Sequence, residues 1–293
     1  MWALLKIELV KIFRRPRTYI SFAAIAAMVG IVQVALKADG ISYLEFLMGG
    51  MKGSIEIPYE MVLNGYLVCF IILNLLLIHV PLLVALVAGD AIAGEANMGT
   101  LRLLLTRPVS RTQFMLTKFA ACVIYTIMLL VWMALLSLFV SILLFGTNDM
   151  IITRNDVVEQ IQRNDVIWRY LAAFAYAAVA LTTVAALAFL LSIFAENSIG
   201  PIVSTISIVI VFTILSEMQI PIYDKTVKPW LFTSHMLAWK GFFYSKSNGE
   251  GQSIAGTLEN FPAIMKSLSV LLGYIILFVG SAVIVFRKKD ILS

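Results

Sequence analysis

The sequence predicts an all-α polytopic membrane protein with six transmembrane helices. Three observations lead there. The chain of 293 residues is 61% hydrophobic and only 13% charged, with a mean hydropathy of +0.95, whereas a soluble domain is nearer half apolar and a quarter charged. Its apolar residues are gathered into long runs, and a bilayer-crossing helix needs roughly 20 of them in a row. The runs do not alternate as barrel strands would, and basic residues crowd at the ends of some of them.

The first element, residues 1–17, reads as an amphipathic helix lying in the membrane interface. Trp2, Leu5, Leu9, Ile12 and Phe13 share one face, Glu8, Lys11 and Arg15 share the opposite one, and Pro16 ends it. Lys6 sits at the edge of the apolar face, where it can snorkel. Leu4 and Ile7 fall on the polar side, through imperfect amphipathicity or contact with a cytoplasmic partner. Residues 18–293 form the membrane domain. Its six expected spans are 18–36, 62–88, 119–145, 167–194, 199–216 and 267–286. The first is too long for a signal-peptide core and lacks a cleavage site, so it is expected to be retained. Loops 37–61, 146–166 and 217–266 join the spans on one side. The last contains "KPWLFTSHMLAWKGFFY", too aromatic for free solvent; it is expected in the outer interface or dipping into the protein as short helices. "SKSNGEGQS" reads as a flexible loop.

Orientation follows from the basic residues. Twelve Lys and Arg fall in the N-terminus, loop 89–118 and the C-terminus, and ten on the other side in much longer loops. Twelve of the seventeen acids lie on that second side, which leaves net charges of +7 and −2. The first side is therefore cytoplasmic, with both termini inside. The overall charge of +5, spread in this way, does not point to nucleic acid.

The chain lacks a G-x-x-x-x-G-K-[ST] phosphate loop and any His, Cys or acidic cluster with metal-ligand spacing. Cys69 and Cys122 lie in apolar runs at different depths, so no disulfide is expected. His79 and His235 lie in different regions. The spans are nearly free of charge, which argues against an ion-coupled transporter or an intramembrane enzyme. Energy for any work is expected from another polypeptide. Two sets of intramembrane residues stand out. Asn74 and His79, near Pro81 in the second span, either bond to neighbouring helices or line a route between protomers. Gly200, Ser204 and Ser207 share one face of the fifth, where small residues allow close helix approach. The alanines of span four, including Ala173, Ala177 and Ala180, read as tight packing.

The loop 89–118 raises the sharpest question, because it displays leucines in water. Thr100 can cap a short helix over 101–106, Pro108 interrupts it, and Ser110 with Gln113 forms a capping box for the next helix. The leucines need a cover, either the protein's own helix ends or a partner. The pattern D-x-x-x-x-E-x-x-x-G-T-L-x-x-L-L-x-x-P-V-S-R-x-x-x-x-x-x-K runs through Asp90, Glu95, Gly99, Thr100, Leu101, Leu104, Leu105, Pro108, Val109, Ser110, Arg111 and Lys118. It resembles the loop between the second and third spans of ABC-2 type permeases, in the six-span branch of sodium-extrusion, bacitracin-resistance and copper-maturation permeases. The ending "FRKKDIL", 286–292, is similar to that branch as well.

The resemblance implies a permease subunit of an ABC transporter in the bacterial cytoplasmic membrane, an exporter in its expected direction. Two copies of a separate ATPase would bind ATP and Mg²⁺, and a second permease would complete a pair, expected to be a homodimer. This chain would itself hold no cofactor and do no catalysis. The resemblance makes the loop a coupling helix, with Glu95, Thr100, Leu101, Arg102, Leu103, Leu104, Leu105 and Arg107 against the ATPase. It places spans two and five, with Asn74, His79, Gly200, Ser204 and Ser207, beside the dimer axis. The long outer loops also permit a second reading, in which the ATPase moves an extracytoplasmic partner mechanically. A membrane enzyme is disfavoured, because the outer polar residues form no recognisable site.

Overall fold

In chain order the computed structural model contains α1 (Trp2–Arg14), α2 (Pro16–Met48), α3 (Gly65–Leu76), α4 (His79–Ala88), α5 (Asp90–Asn97), α6 (Arg111–Ala134), a π-helical stretch (Leu135–Val140) and α7 (Ser141–Phe145). Strands β1 (Met150–Arg154) and β2 (Val157–Ile161) follow, then α8 (Arg163–Leu191), α9 (Ile199–Glu217), α10 (Phe232–Met236) between two 3₁₀ turns (Lys228–Trp230 and Leu237–Phe243), and α11 (Phe261–Lys288). The structure describes residues 2–48, 62–76, 79–100, 110–154, 157–218, 225–246 and 253–289.

Among the described residues, five helical stretches are long and apolar enough to cross a bilayer: Pro16–Gly40, Arg111–Phe145, Arg163–Leu191, Ile199–Glu217 and Phe261–Lys288. They carry the expected first, third, fourth, fifth and sixth spans. The expected second span, 62–88, is not one helix. It is α3 and α4, bent by 54° across residues 77–78, and the total is six only if that pair counts as one crossing. Pro81 supplies the reason. Sitting in the first turn of α4, it has no N–H to return to the carbonyl of residue 77, so a helix can start there but not run through.

The alanine-rich helix α8 is the centre. It touches α4, α6, α9, α11 and the 3₁₀ turn Leu237–Phe243. Ala173, Ala180, Ala185, Ala186 and Ala188 are buried along it, since small side chains let neighbouring backbones approach. In the most apolar window of α8, 56% of residues are buried, against 22% in α9 and 11% in α11. The outer faces of the bundle expose Ile31, Phe139, Leu171, Val211 and Ile276. Such a surface is stable in lipid and costly in water, and the chain is a membrane protein. Gln33 reaches across from α2, donating to the Leu136 carbonyl at 2.9 Å and Ser141 Oγ at 3.0 Å. It thereby supports the π-helical stretch, whose backbone bonding departs from the α pattern.

The end of the bundle that carries the described parts of 146–166 and 225–260 has more regular structure than expected. β1 and β2 form an antiparallel hairpin with Met150 opposite Ile161, and Met150, Ile152 and Ile161 are buried beneath it. The segment 231–243 does dip inward as short helices, burying Phe232, Met236, Trp239 and Phe243. Arg169, fully buried, clamps these parts together. It donates to Asp165 Oδ2 at 2.6 and 3.0 Å, to the Phe242 carbonyl at 2.7 Å and to the Thr257 carbonyl at 3.0 Å. Asp165 Oδ1 accepts in turn from Trp168 Nε1 at 2.6 Å and from the Gly256 N–H at 3.1 Å.

Candidate coupling site at the basic end of the bundle

Helix α6 begins where the sequence predicts. Ser110 Oγ accepts from the Gln113 N–H at 3.2 Å, satisfying one of the unpaired donors of the first turn. Two turns on, Lys118 is 3% exposed. A lone buried ammonium would be prohibitive, but this one has two carboxylates and a carbonyl around it. It donates to Glu8 Oε2 at 2.8 Å, pairs with Glu95 Oε1 at 2.7 Å and donates to the Ala91 carbonyl at 3.2 Å. Its ammonium also stands 5.1 Å from the centre of the Phe114 ring. Lys11 closes the other side, 2.7 Å from Glu8 Oε1 and 2.8 Å from Glu95 Oε1. Glu8, Lys11, Glu95 and Lys118 thus form a closed, charge-balanced ring joining α1, α5 and α6.

A second group lies beside it. Asp90, the first residue of α5, is buried. It pairs with Arg17 at 3.1 Å and with Arg15, and it accepts a hydrogen bond from Ser198, just before α9. The two groups share a cavity of about 40 Å³ lined by Glu8, Lys11, Asp90, Glu95 and Lys118 among others. Glu95 Oε2 is buried without a partner. Burial alone would raise the Glu8 carboxyl; Lys118 and Lys11 outweigh it and hold it below its ordinary 4.5. Burial alone would lower the Lys11 ammonium; Glu8 and Glu95 outweigh it and hold it above 10.5.

The polar face of α1, with Glu8 and Lys11, turns toward α5 and α6, while Trp2, Ile7 and Val10 are exposed. The reason is that α5 and α6 present opposite charges, so the polar face is compensated by protein rather than by water. Glu95, expected either to meet the ATPase or to cap the loop internally, is 3% exposed and pairs with Lys11 and Lys118. Thr100 turns back, its hydroxyl donating to the Glu95 carbonyl at 3.3 Å. Gly99, at φ 67°, ends α5 in the left-handed conformation that favours glycine. Leu101, Arg102, Leu103, Leu104, Leu105 and Arg107 lie outside the described residues.

Among the described residues, Asn74 and His79 each have one partner within the same stretch of chain. Each returns to a carbonyl four residues back, Asn74 Nδ2 donating to Phe70 O at 2.8 Å and His79 Nδ1 lying 3.0 Å from Leu75 O. Gly200, Ser204 and Ser207 are all exposed on α9, together with Val203, Val211 and Ile214. Sequence reasoning missed the ring. Its signal was there in Glu8 and Lys11 spaced for one helix face, and in Glu95 and Lys118 at the same membrane edge, because charges at one depth with no water must find each other. No grouping of three or more His, Cys, Asp or Glu suited to a metal occurs among the described residues.

Comparison with known proteins gives the family. Residues 23–292 match the family described as "Protein of unknown function (DUF2705)". The chain belongs to this family. Among similar proteins, this DUF2705 chain is 25% identical over 214 residues to "Uncharacterized protein YhcI" of Bacillus subtilis (strain 168), covering 70% of this chain. It is 39% identical over 85 residues to "Probable ABC transporter permease protein NosY" of Stutzerimonas stutzeri, covering 29% of this chain. The matches span 63% and 28% of those two relatives' own lengths.

Proposed function

We propose that the chain is the membrane subunit of an ABC transporter, an exporter in a bacterial cytoplasmic membrane, driven by a separate ATPase. The observation that carries this reading is the buried ring of Glu8, Lys11, Glu95 and Lys118. It ties the N-terminal helix, α5 and the third span to one another at the root of loop 101–109, which suits a place where force enters. The local likeness to a probable ABC transporter permease and the D…E…GTL…PVSR pattern support it. Six crossings follow if α3 and α4 count as one, with both termini in the cytoplasm. Two ATPase copies would hold ATP and Mg²⁺ and close against Leu101, Leu103, Leu104 and Leu105, with Arg102 and Arg107 flanking. This chain would contribute no catalytic residue and no cofactor.

The second permease would be another copy of this chain, meeting it along the exposed Gly200, Ser204 and Ser207 face of α9. Asn74 and His79, each bonded once to a carbonyl four residues back, would border the same axis. The test is co-expression with candidate ABC ATPase subunits from the same genome. The chain should purify with that ATPase and bind no nucleotide alone by calorimetry at micromolar concentrations. Nucleotide binding by the isolated chain would refute the division of labour.

A further inference from the structure

The ring of Glu8, Lys11, Glu95 and Lys118 has a property that a static brace would not need. Glu95 Oε2 is fully buried and unpartnered, beside a cavity of about 40 Å³ that Arg15, Arg17 and Asp90 also line. A buried polar atom without a partner needs an explanation, and a ring one donor short, next to open space and further cations, can re-pair when its helices shift. Lys118 is the member through which all shifts must pass. It is the only one on a membrane span, and it holds α1 through Glu8 and α5 through Glu95 and Ala91 O. Helix α5 runs straight into loop 101–109, with only Met98, Gly99 and Thr100 between.

We propose that Lys118 is the positioning residue that passes movement of α5 to both α1 and α6, and that the ring is the clasp that makes these elements move as one. The proposal rests on the ATPase-driven reading. In it, α1 is carried by the permease's own charges. A bistable packed element of this kind, not a continuous flexing, converts a small shift into a large one.

The test separates clasp from stability. Lys118→Met alone leaves two carboxylates against one ammonium. Lys118→Met with Glu8→Gln is charge-balanced, because Lys11 and Glu95 remain paired, but α1 no longer reaches α6 through an ion pair. In nanodiscs with the ABC ATPase that co-purifies with the unaltered chain, the double variant should fold and keep that ATPase. Trypsin cleavage after Lys6, Lys11 and Arg14 should rise on the order of tenfold, as the loss of a buried pair implies. The permease-dependent change in ATP hydrolysis should fall by a similar factor. Hydrolysis within about twofold of the unaltered complex, despite freed α1, would overturn the proposal. So would α1 that stays resistant to trypsin in both the single and the double variant. Failure of the unaltered chain to bind any ATPase overturns the functional reading, and the transmission with it; cleavage of the isolated chain then still shows whether the ring holds α1, which keeps the two failures apart.

Discussion

Lys118 and Arg169 do the same job at opposite ends of the molecule, each a buried cation held by acceptors from several elements. Arg169 ties Asp165 to the carbonyls of Phe242 and Thr257. Truncating it leaves the buried Asp165 carboxylate uncompensated, so Arg169→Met should cost about 3–5 kcal/mol. The charge-balanced pair Arg169→Met with Asp165→Asn should recover part of that, measured by thermal unfolding in detergent. An undiminished melting temperature in the single variant would show that the clamp holds nothing. At the inner end the sign of the pH dependence follows from the ring. The Glu8 carboxyl is held below 4.5, so its contribution is complete above that value and fades as pH falls through the folded one. The Lys11 ammonium is held above 10.5, so its contribution is complete below that value and fades as pH rises further. Glu95, Lys118, Arg15, Arg17 and Asp90 face the same cavity. Docking of α1 should therefore be flat between these limits and loosen only outside them. A spin label at the exposed Ile7 reports it, and a mobility step near neutral pH would contradict the assignment of charges.

Elements differ in how plainly the sequence announces them. Five long apolar helices were legible because a run of apolar residues near 20 has few other stable fates. The start of α6 was legible because Ser110 and Gln113 form a local cap that needs no tertiary context. Three features were not. The break between α3 and α4 hides in an unbroken apolar run, and only Pro81 hints at it. The hairpin Met150–Ile161 is two five-residue strands, too short for alternation to be told from chance. The inward turn of Glu8 depends on partners more than 80 residues away, which helix periodicity cannot see. The leucines of loop 101–109 remain a matter of sequence, and they yield an element-scale prediction. Burying a leucine is worth roughly 1.5–3 kcal/mol, so several on one short segment between apolar helices would favour association if they face water. Leu103→Asp with Leu104→Asp should leave the spans folded but release the ATPase on purification. Retention of the ATPase with undiminished hydrolysis would remove this loop from the coupling path.

At the scale of the whole molecule, the bundle is lopsided. Helix α8 is well wrapped, while α9 presents one long side to its surroundings, with Gly200, Val203, Ser204, Ser207, Val211 and Ile214 spaced three or four apart along it. The apolar members of that stripe suit lipid, but Gly200, Ser204 and Ser207 gain nothing there. Between helices in a membrane, small residues permit close backbone approach and serine hydroxyls can bond across. Two copies of this chain facing each other along α9 would satisfy both. Ser198, at the foot of the same helix, hydrogen-bonds to Asp90, so the stripe is anchored to the end of the bundle where Arg15 and Arg17 also meet Asp90. A pair joined along α9 would therefore set its two basic ends side by side, where a two-headed ATPase could grip both. Single cysteines at Ser204 and Ser207 should cross-link between chains in native membranes. A cysteine at Ile276, which is 74% exposed on α11, should not. Cross-linking at Ile276 but at neither serine would move the interface to α11 and leave the α9 stripe to lipid.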